Sequence, residues 1–316
     1  MRILIVGMGN VGLMHGWALS KAGVDVTHVV RQGSLARHVH DIRMDVLDIR
    51  SGVQENYSTI YKPQVVDEIF PNDGYDLVMV ATNHLQAIEA VKDYKDMVPM
   101  ANFLMFCANW EGPGIIDELI PRSRYLWGYS VFSGAKDNDG VLYANIQKTY
   151  RIGELPGSPA GLLDKITKEF AKAGISPDIK DDIIHWLWTH HAINAGLQGT
   201  VLVQGGLPSA ETPLEVWVFI VRAVKDALKV LEARGVNFIN DPDTKAFQID
   251  NAEEAAKLLR HGFSKMPHYE RTKEHSHVVA NPGEVKRYYL DVVETGEKLG
   301  VNMPYLASIK ETILSL

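Results

Sequence analysis

The chain holds one cysteine, Cys107, in 316 residues. A single thiol forms no intrachain disulfide, so the core alone must hold the fold, and a reducing, cytoplasmic setting is expected. Cys107 follows the run Phe103-Leu104-Met105-Phe106 and reads as a small buried apolar residue rather than a nucleophile. No cysteine pair and no H-E-x-x-H is present to build a zinc site. His275-Ser276-His277 has the spacing of a ligand pair but no companions, so it reads as a surface or pocket-lining loop, and no metal is expected. Positive charge is not in excess: 32 Lys and Arg against 39 Asp and Glu leave a net charge of −7. Nucleic acids and anionic membranes require a basic face, so neither is expected as a partner. No apolar run is long enough to span a bilayer, and residue 1 leads straight into an apolar strand, so no signal peptide is expected. A small anionic ligand stays open, because a local pocket can be positive inside an acidic protein.

What is present is ordinary globular composition, 46% hydrophobic and 22% charged, over a length that suggests two domains. The most informative segment is Gly7-Met8-Gly9-Asn10-Val11-Gly12, directly after Arg2-Ile3-Leu4-Ile5-Val6. An apolar β-branched run ends in G-x-G-x-x-G, and a helical pattern follows from Val11 to Lys21. Strand, tight turn and helix in that order form a dinucleotide site. The glycines let the backbone turn and approach a pyrophosphate at the positive end of the helix. Gly7, Gly9, Asn10, Val11 and Gly12 are therefore the expected cofactor contacts. The second strand, Val24 to Val30, ends in Arg31, 19 positions after Gly12. An acidic residue there would hold the ribose 2′-hydroxyl of NAD. An Arg suits the 2′-phosphate, so the expected cofactor is NADPH/NADP.

Apolar runs at Arg2–Val6, Asp25–Val30, Asp76–Ala81, Asn102–Cys107 and Tyr125–Val131 alternate with helical patterns, as a parallel sheet requires. Asp45–Tyr61 reads as a less regular excursion of strands. Asp139-Gly140, between Lys136 and Leu142, signals a hairpin, and Lys148–Gly153 a further strand. Leu162, Ile166 and Phe170 mark a helix that ends at Gly174. Beyond that the pattern is helical. Ile183, Ile184, Leu187, His191, Asn194 and Leu197 keep helical spacing, and Thr212-Pro213-Leu214-Glu215 reads as a capping box. The stripe Val216, Ile220, Val224, Ala227, Leu231 follows, with Asn251 opening another helix and a last pair at Val285–Leu299 and Tyr305–Leu316. The expected fold is α/β: an N-terminal Rossmann-type parallel-sheet domain, residues 1–178, followed by an all-α domain, residues 179–316. The apolar helix at Val216–Leu231 suits a homodimer interface as well as an intrachain core.

Several local patterns resemble the ketopantoate reductase family. Gly7–Gly12 with Arg31 is similar to its NADPH fingerprint, and Asn109 with Gly112 and Ile115–Leu119 to its N-x-x-G turn and helix. Gly134 with Asp139-Gly140-Val141 and Ile152-Gly153-Glu154 is similar to its hairpin. Trp188-Thr189-His190-His191-Ala192-Ile193-Asn194 resembles the W-x-K-x-x-x-N helix that carries its catalytic lysine, and Glu284, 20 residues before Pro304 in Gly300-Val301-Asn302-Met303-Pro304, its acidic residue ahead of the closing motif. Two lysines of the family are absent: the catalytic one falls on His190 and a cofactor-side one on Asn83. The substrate-binding serine falls on Ser264 or Lys265, next to an insertion around His268–His277.

The resemblance implies NADPH-dependent reduction of a 2-oxoacid to a 2-hydroxy acid, as in ketopantoate to pantoate, with a small-molecule carboxylate as partner. Such a reaction needs a hydride, a cation for the carboxylate and a proton for the alkoxide. His190 is the expected general acid, since an imidazolium titrates near working pH, with Glu284 orienting it or raising its pKa. Asn194, one turn on, lies on the same helix face. Adjacent histidines point about 100° apart on a helix, so His191 is expected in the core. Asn83 and Asn109 are expected at the cofactor, with Asn109, Asn194, Ser264 and Lys265 at the substrate. An opine-type dehydrogenase condensing a 2-oxoacid with an amine, and a catalytically silent NADP(H)-binding protein, are the alternatives.

Overall fold

The apolar pentapeptide Arg2–Val6 forms β1, and every residue of it but the first is buried. The computed structural model describes residues 1–209, 211–266, 269, 271 and 281–316. They form two compact units, Met1–Ile184 and His185–Leu316.

In the first unit, α1 (Asn10–Lys21) leads to β2 (Asp25–Val29), β3 (Ile42–Asp48), β4 (Glu55–Tyr61), β5 (Gln64–Val66) and β6 (Leu77–Val80). Then come α2 (His84–Tyr94), β7 (Asn102–Phe106), the short α3 (Gly114–Asp117), β8 (Tyr125–Ser130), β9 (Ser133–Lys136), β10 (Leu142–Ile146), β11 (Thr149–Gly153), α4 (Leu162–Lys172) and β12 (Ser176–Ile179). The main sheet has the order β12-β11-β8-β7-β6-β1-β2-β5. From β8 to β5 all pairs are parallel, while β11 runs antiparallel to β8 and carries β12 parallel to itself. Strands buried on both faces read as unbroken apolar runs, which is why β1, β6 and β7 were legible.

Two features depart from the sequence reading. Asp45–Tyr61 is regular: β3 and β4 pair antiparallel over seven positions, Ile42↔Tyr61 to Asp48↔Glu55. With β9 and β10 they make a separate four-stranded sheet, ordered β4-β3-β10-β9. The polar outer face of β4 hid it, because its exposed residues break the apolar pattern. Ser176-Pro177-Asp178-Ile179 is the second departure, a strand despite its proline. It lies on the sheet edge, where a missing N–H costs no ladder bond. Residue 178 thus falls inside the last strand of the first unit, and the division by contacts lies at Ile184. The Asp139-Gly140 hairpin is present, joining β9 to β10 with Leu142 opposite Lys136.

In the second unit, α5 (Ile183–Gln204, entering it at His185), α6 (Leu214–Ala233), a 3₁₀ segment (Pro242–Gln248), α7 (Ala252–Ser264), α8 (Pro282–Lys298) and two short helices (Pro304–Ser308 and Lys310–Ser315) follow. Ile220, Val224, Ala227 and Leu231 of the expected stripe are buried, and Trp217 beside them is the largest fully buried side chain. α5 approaches α6 closely at Gly196, where a Cβ would stand 2.6 Å from the Val224 nitrogen. Asn251 caps α7, accepting from the Glu253 and Glu254 amides. Thr212 does not cap α6: Pro213 holds that position, and the Thr212 hydroxyl oxygen accepts from Ser209 N at 2.7 Å, closing the preceding turn. Among the described residues no helix is long and apolar enough to cross a membrane.

Candidate functional site

Strand order reverses at β1: β2 follows it on one side and β6 lies on the other. Ligands of open α/β sheets bind at the carboxyl ends of strands beside such a reversal. Gly7 leaves β1 with φ +83°, a left-handed backbone that a side chain would strain. Its N–H donates to Val29 O at 2.7 Å and its carbonyl accepts from His28 Nδ1 at 3.0 Å, so β2 grips both sides of the turn. Gly9 sits at the N-cap of α1 and makes no side-chain capping bond to the first amides of the helix. Asn10, Val11 and Gly12 therefore begin a helix whose leading N–H groups lie beyond intrahelical bonding, as anion binding requires. A Cβ on Gly12 would come within 3.1 Å of Ile5 Cγ2 and 3.7 Å of Gly7 O, so this glycine lets the helix lie against the strand. These residues fit a dinucleotide: the turn, the open helix start and the close packing are the three features it needs.

Arg31 stands exposed at the end of β2. The loop after it is tied to the segment following β5. Gln32 Nε2 donates to Glu68 Oε1 at 2.7 Å, Gly33 N to Asp67 Oδ2 at 3.3 Å, and Arg37 pairs with Asp67 at 2.8 Å. The Arg37 hydrogen bond holds the Asp67 carboxyl below the usual range.

Asn83 and Asn109 follow β6 and β7, on the same edge of the sheet as the glycine loop. Their side chains make local hydrogen bonds. Asn83 accepts from Gln86 N at 3.0 Å and caps α2. Asn109, 5% exposed, donates to Gly112 O at 3.0 Å and accepts from Gly112 N at 2.6 Å. Each side chain thus shapes the backbone at the strand end.

In the helical unit, one face of α5 presents Trp186, His190, Asn194 and Gln198 at four-residue spacing. His190 is half-buried and stacks on Trp186, 5.1 Å between ring centroids at 16°. Asn194 accepts from Gln198 Nε2 at 3.0 Å through its carbonyl oxygen, which turns its amide nitrogen to the other side as a donor. His191 points into the core as expected, 1% exposed and 4.2 Å from the Tyr288 ring.

A carboxylate that the sequence reading passed over meets His191: Asp291 Oδ2 lies 3.2 Å from its Nε2. Asp291 also takes Arg287 at 2.5 Å, and Arg287 holds Glu294 at 2.8 Å. Its only sequence signal was a charge at core spacing in α8. Glu284 is in the first turn of α8, where Asn281 Nδ2 donates to it at 3.1 Å. The neighbouring Val285 packs with Val201, so the register carries Glu284 toward the far end of α5 and Asp291 toward His191. Ser264 and Lys265 are exposed at the end of α7, and the Ser264 hydroxyl donates to His261 O at 2.8 Å. His275 and His277 lie outside the described residues, as does most of the insertion around His268–His277. Among the described residues no cluster of His, Cys, Asp and Glu is placed to hold a metal.

His28 and His15 are buried polar residues that the sequence reading also passed over. His15 lies in the core, its Nε2 2.9 Å from Ser130 Oγ and its ring stacked on Phe132 at 4.1 Å. Burial pushes its pKa down to about 3. A cavity of about 420 Å³ opens at the opposite end of α1 from the glycine loop, lined by Lys21, Asp48, Arg50, Ser51, Glu55 and Lys172. None of the expected site residues lines it.

Residues 3–157 match the family described as ketopantoate reductase PanE/ApbA. A curated relative named 2-dehydropantoate 2-reductase, from Pyrococcus abyssi, is 26% identical over 251 residues, 78% of this chain and 79% of the relative. The solved 2-dehydropantoate 2-reductase from Geobacter metallireducens shares the fold with a TM-score of 0.71 at 16% identity, covering 100% of this chain and 99% of that one. D-mandelate dehydrogenase, solved with NADH and anilino(oxo)acetate, shares it with a TM-score of 0.72 at 15% identity, covering 100% and 98%. Residues 3–157 thus form a ketopantoate reductase family domain, and the fold shared with the solved reductase continues to the last helix.

Proposed function

We propose that the protein is an NADPH-dependent oxidoreductase that interconverts a 2-oxoacid and its 2-hydroxy acid, with 2-dehydropantoate as the first substrate to test. The observation that carries this reading is the Gly7–Gly12 turn at the strand-order reversal, with Arg31 at the end of the neighbouring strand. The bound nicotinamide supplies the hydride. The backbone from Gly9 to Gly12 would hold its pyrophosphate, and Arg31 its 2′-phosphate through charge-assisted hydrogen bonds. The choice of NADPH over NADH rests on Arg31, since an acidic residue there would repel the phosphate.

His190 would donate a proton to the oxygen that becomes the hydroxyl. Its half-buried ring on Trp186 leaves it oriented yet partly solvated, which suits a group that must be recharged with protons. Asn194 would donate its amide hydrogen to a substrate oxygen, because its own carbonyl is engaged by Gln198. Lys265 is our candidate for the carboxylate. Ser264 would have to release His261 to take part. Glu284 belongs to the same proposal as an acceptor for a substrate hydroxyl, since the register of α8 favours the Val201 end of α5 over contact with His190. Asn83 and Asn109 enter as shapers of the cofactor-side loops. A cytoplasmic location and a homodimer complete the reading.

The test is oxidation of NADPH and of NADH, followed by absorbance, with 2-dehydropantoate and a panel of other 2-oxoacids. Faster oxidation of NADPH with 2-dehydropantoate supports the full proposal. Turnover of a different 2-oxoacid moves the substrate, and silence across the panel with both nucleotides overturns it.

A further inference from the structure

β2 carries an imidazole in the middle of the sheet. His28 is fully buried among apolar strands, where a polar ring is stable only with partners. It has two. Nδ1 lies 3.0 Å from the carbonyl oxygen of Gly7, and Nε2 lies 3.0 Å from the hydroxyl of Tyr61 on β4. A carbonyl only accepts, so Nδ1 carries the hydrogen. Nε2 is then the bare nitrogen, and the Tyr61 O–H donates to it. Ser20 Oγ of α1 stands 3.5 Å from the same hydroxyl. Gly16 of α1 packs against this pair: a Cβ there would collide with His28 Nε2 and come within 2.9 Å of the Tyr61 oxygen.

We propose that His28 is a positioning residue for the dinucleotide loop, holding the Gly7 carbonyl inward through Nδ1 while Tyr61 selects the tautomer that can do so. The inference rests on the dinucleotide reading of Gly7–Gly12. Gly7 needs such a restraint. Its left-handed φ of +83° is one of several that glycine adopts at little cost, so its peptide plane is the softest point of the turn. The peptide unit is planar and trans, so the Gly7 carbonyl and the Met8 N–H point in opposite directions. Pinning the carbonyl against β2 turns the Met8 N–H away from β2. The same pair packs against the middle and last turn of α1, where Gly16 and Ser20 rest on the ring and its partner. The second sheet thus reaches the cofactor loop through two side chains, and burial, which pushes the His28 pKa down, keeps the ring neutral as this arrangement needs.

The experiment is NADPH binding to the full-length protein, read by nucleotide fluorescence, beside steady-state kinetics. His28→Leu removes the donor and keeps an apolar side chain. It raises the Kd for NADPH about 3- to 10-fold, while the KM for the carbonyl substrate stays within about twofold. His28→Asn places an amide N–H near the Nδ1 position and restores most of the affinity. A folded His28→Leu protein with the wild-type Kd overturns the inference, as does a His28→Asn protein as weak as His28→Leu. If His28→Leu does not fold, ¹⁵N-histidine NMR of the wild type decides. A His28 ring with Nδ1 protonated and Nε2 bare supports the inference, and the opposite tautomer overturns it. Wild-type protein that binds no NADPH removes the underlying reading, and this inference with it. Wild-type binding with an unchanged His28→Leu removes this inference alone.

Discussion

Asp226 of α6 reaches the backbone of Tyr305: its Oδ2 accepts from Tyr305 N at 2.7 Å and from Leu306 N at 3.3 Å. The short helix Pro304–Ser308 has no side-chain cap of its own, so a carboxylate 1% exposed and far away in sequence caps it. Lys229, at 2.8 Å from Oδ1, balances the charge. Asp226→Ala leaves one buried and one half-buried amide without this acceptor. The expected loss is about 1–3 kcal/mol in urea unfolding, with a smaller loss in Asp226→Asn, which keeps an acceptor oxygen. Equal midpoints for Asp226→Ala and the wild type would remove the capping role.

His190→Ala is expected to lower kcat by about 10²- to 10⁴-fold, the usual contribution of a positioned general acid. NADPH affinity should stay at the wild-type value, because the glycine loop belongs to the other unit. His190→Lys puts an ammonium at that position and should recover part of the rate, with the pH limit displaced upward toward a lysine. Unchanged kcat in His190→Ala removes the assignment.

Arg31→Ala should reduce the preference for NADPH over NADH about 10- to 100-fold, the value of one charge-assisted contact, with NADH kinetics nearly unchanged. The paired Kd values of the two nucleotides measure this directly. A preference that survives the substitution would transfer the 2′-phosphate to other groups.

Stability should fall in mild acid. The His15 pKa is pushed down to about 3 by burial, below the ordinary 6.5 of an unfolded chain. Between those values the unfolded state binds a proton that the native state refuses, so stability rises with pH there. The contribution is complete above pH 6.5 and is lost as pH falls toward 3, at about 1.4 kcal/mol per pH unit. His28, also pushed down by burial, adds in the same direction. His15→Phe keeps an aromatic ring on Phe132 and removes the titration, so its pH–stability curve should be flatter by about one proton across that window. Parallel curves would place the native titration elsewhere.

The glycine fingerprint, the parallel strands and the Asp139-Gly140 hairpin were legible because each is set by neighbours in the chain. Left-handed glycines and unbroken apolar runs announce turns and buried strands whatever surrounds them. The candidate site was legible only in part. Asn83 and Asn109 sit at the expected sheet edge, and there Asn83 accepts from Gln86 N while Asn109 bonds both backbone groups of Gly112. A residue name shows what hydrogen bonds are possible and not which are taken. The strand at Ser176–Ile179 escaped because a proline and a carboxylate look like a loop until an edge position makes them harmless.

The sequence by itself determined the nucleotide-binding turn, the α/β first unit, the helical second unit and the family resemblance. Those follow from local conformation and periodicity, where physical cause and effect lie within a few residues. Only the tertiary structure decided that β3, β4, β9 and β10 form their own sheet, that Asp291 meets His191, and that His28 joins Gly7 to Tyr61. Burial makes each of these polar groups depend on a partner brought near by packing. Which partner arrives is settled by the register of strands and helices distant in sequence.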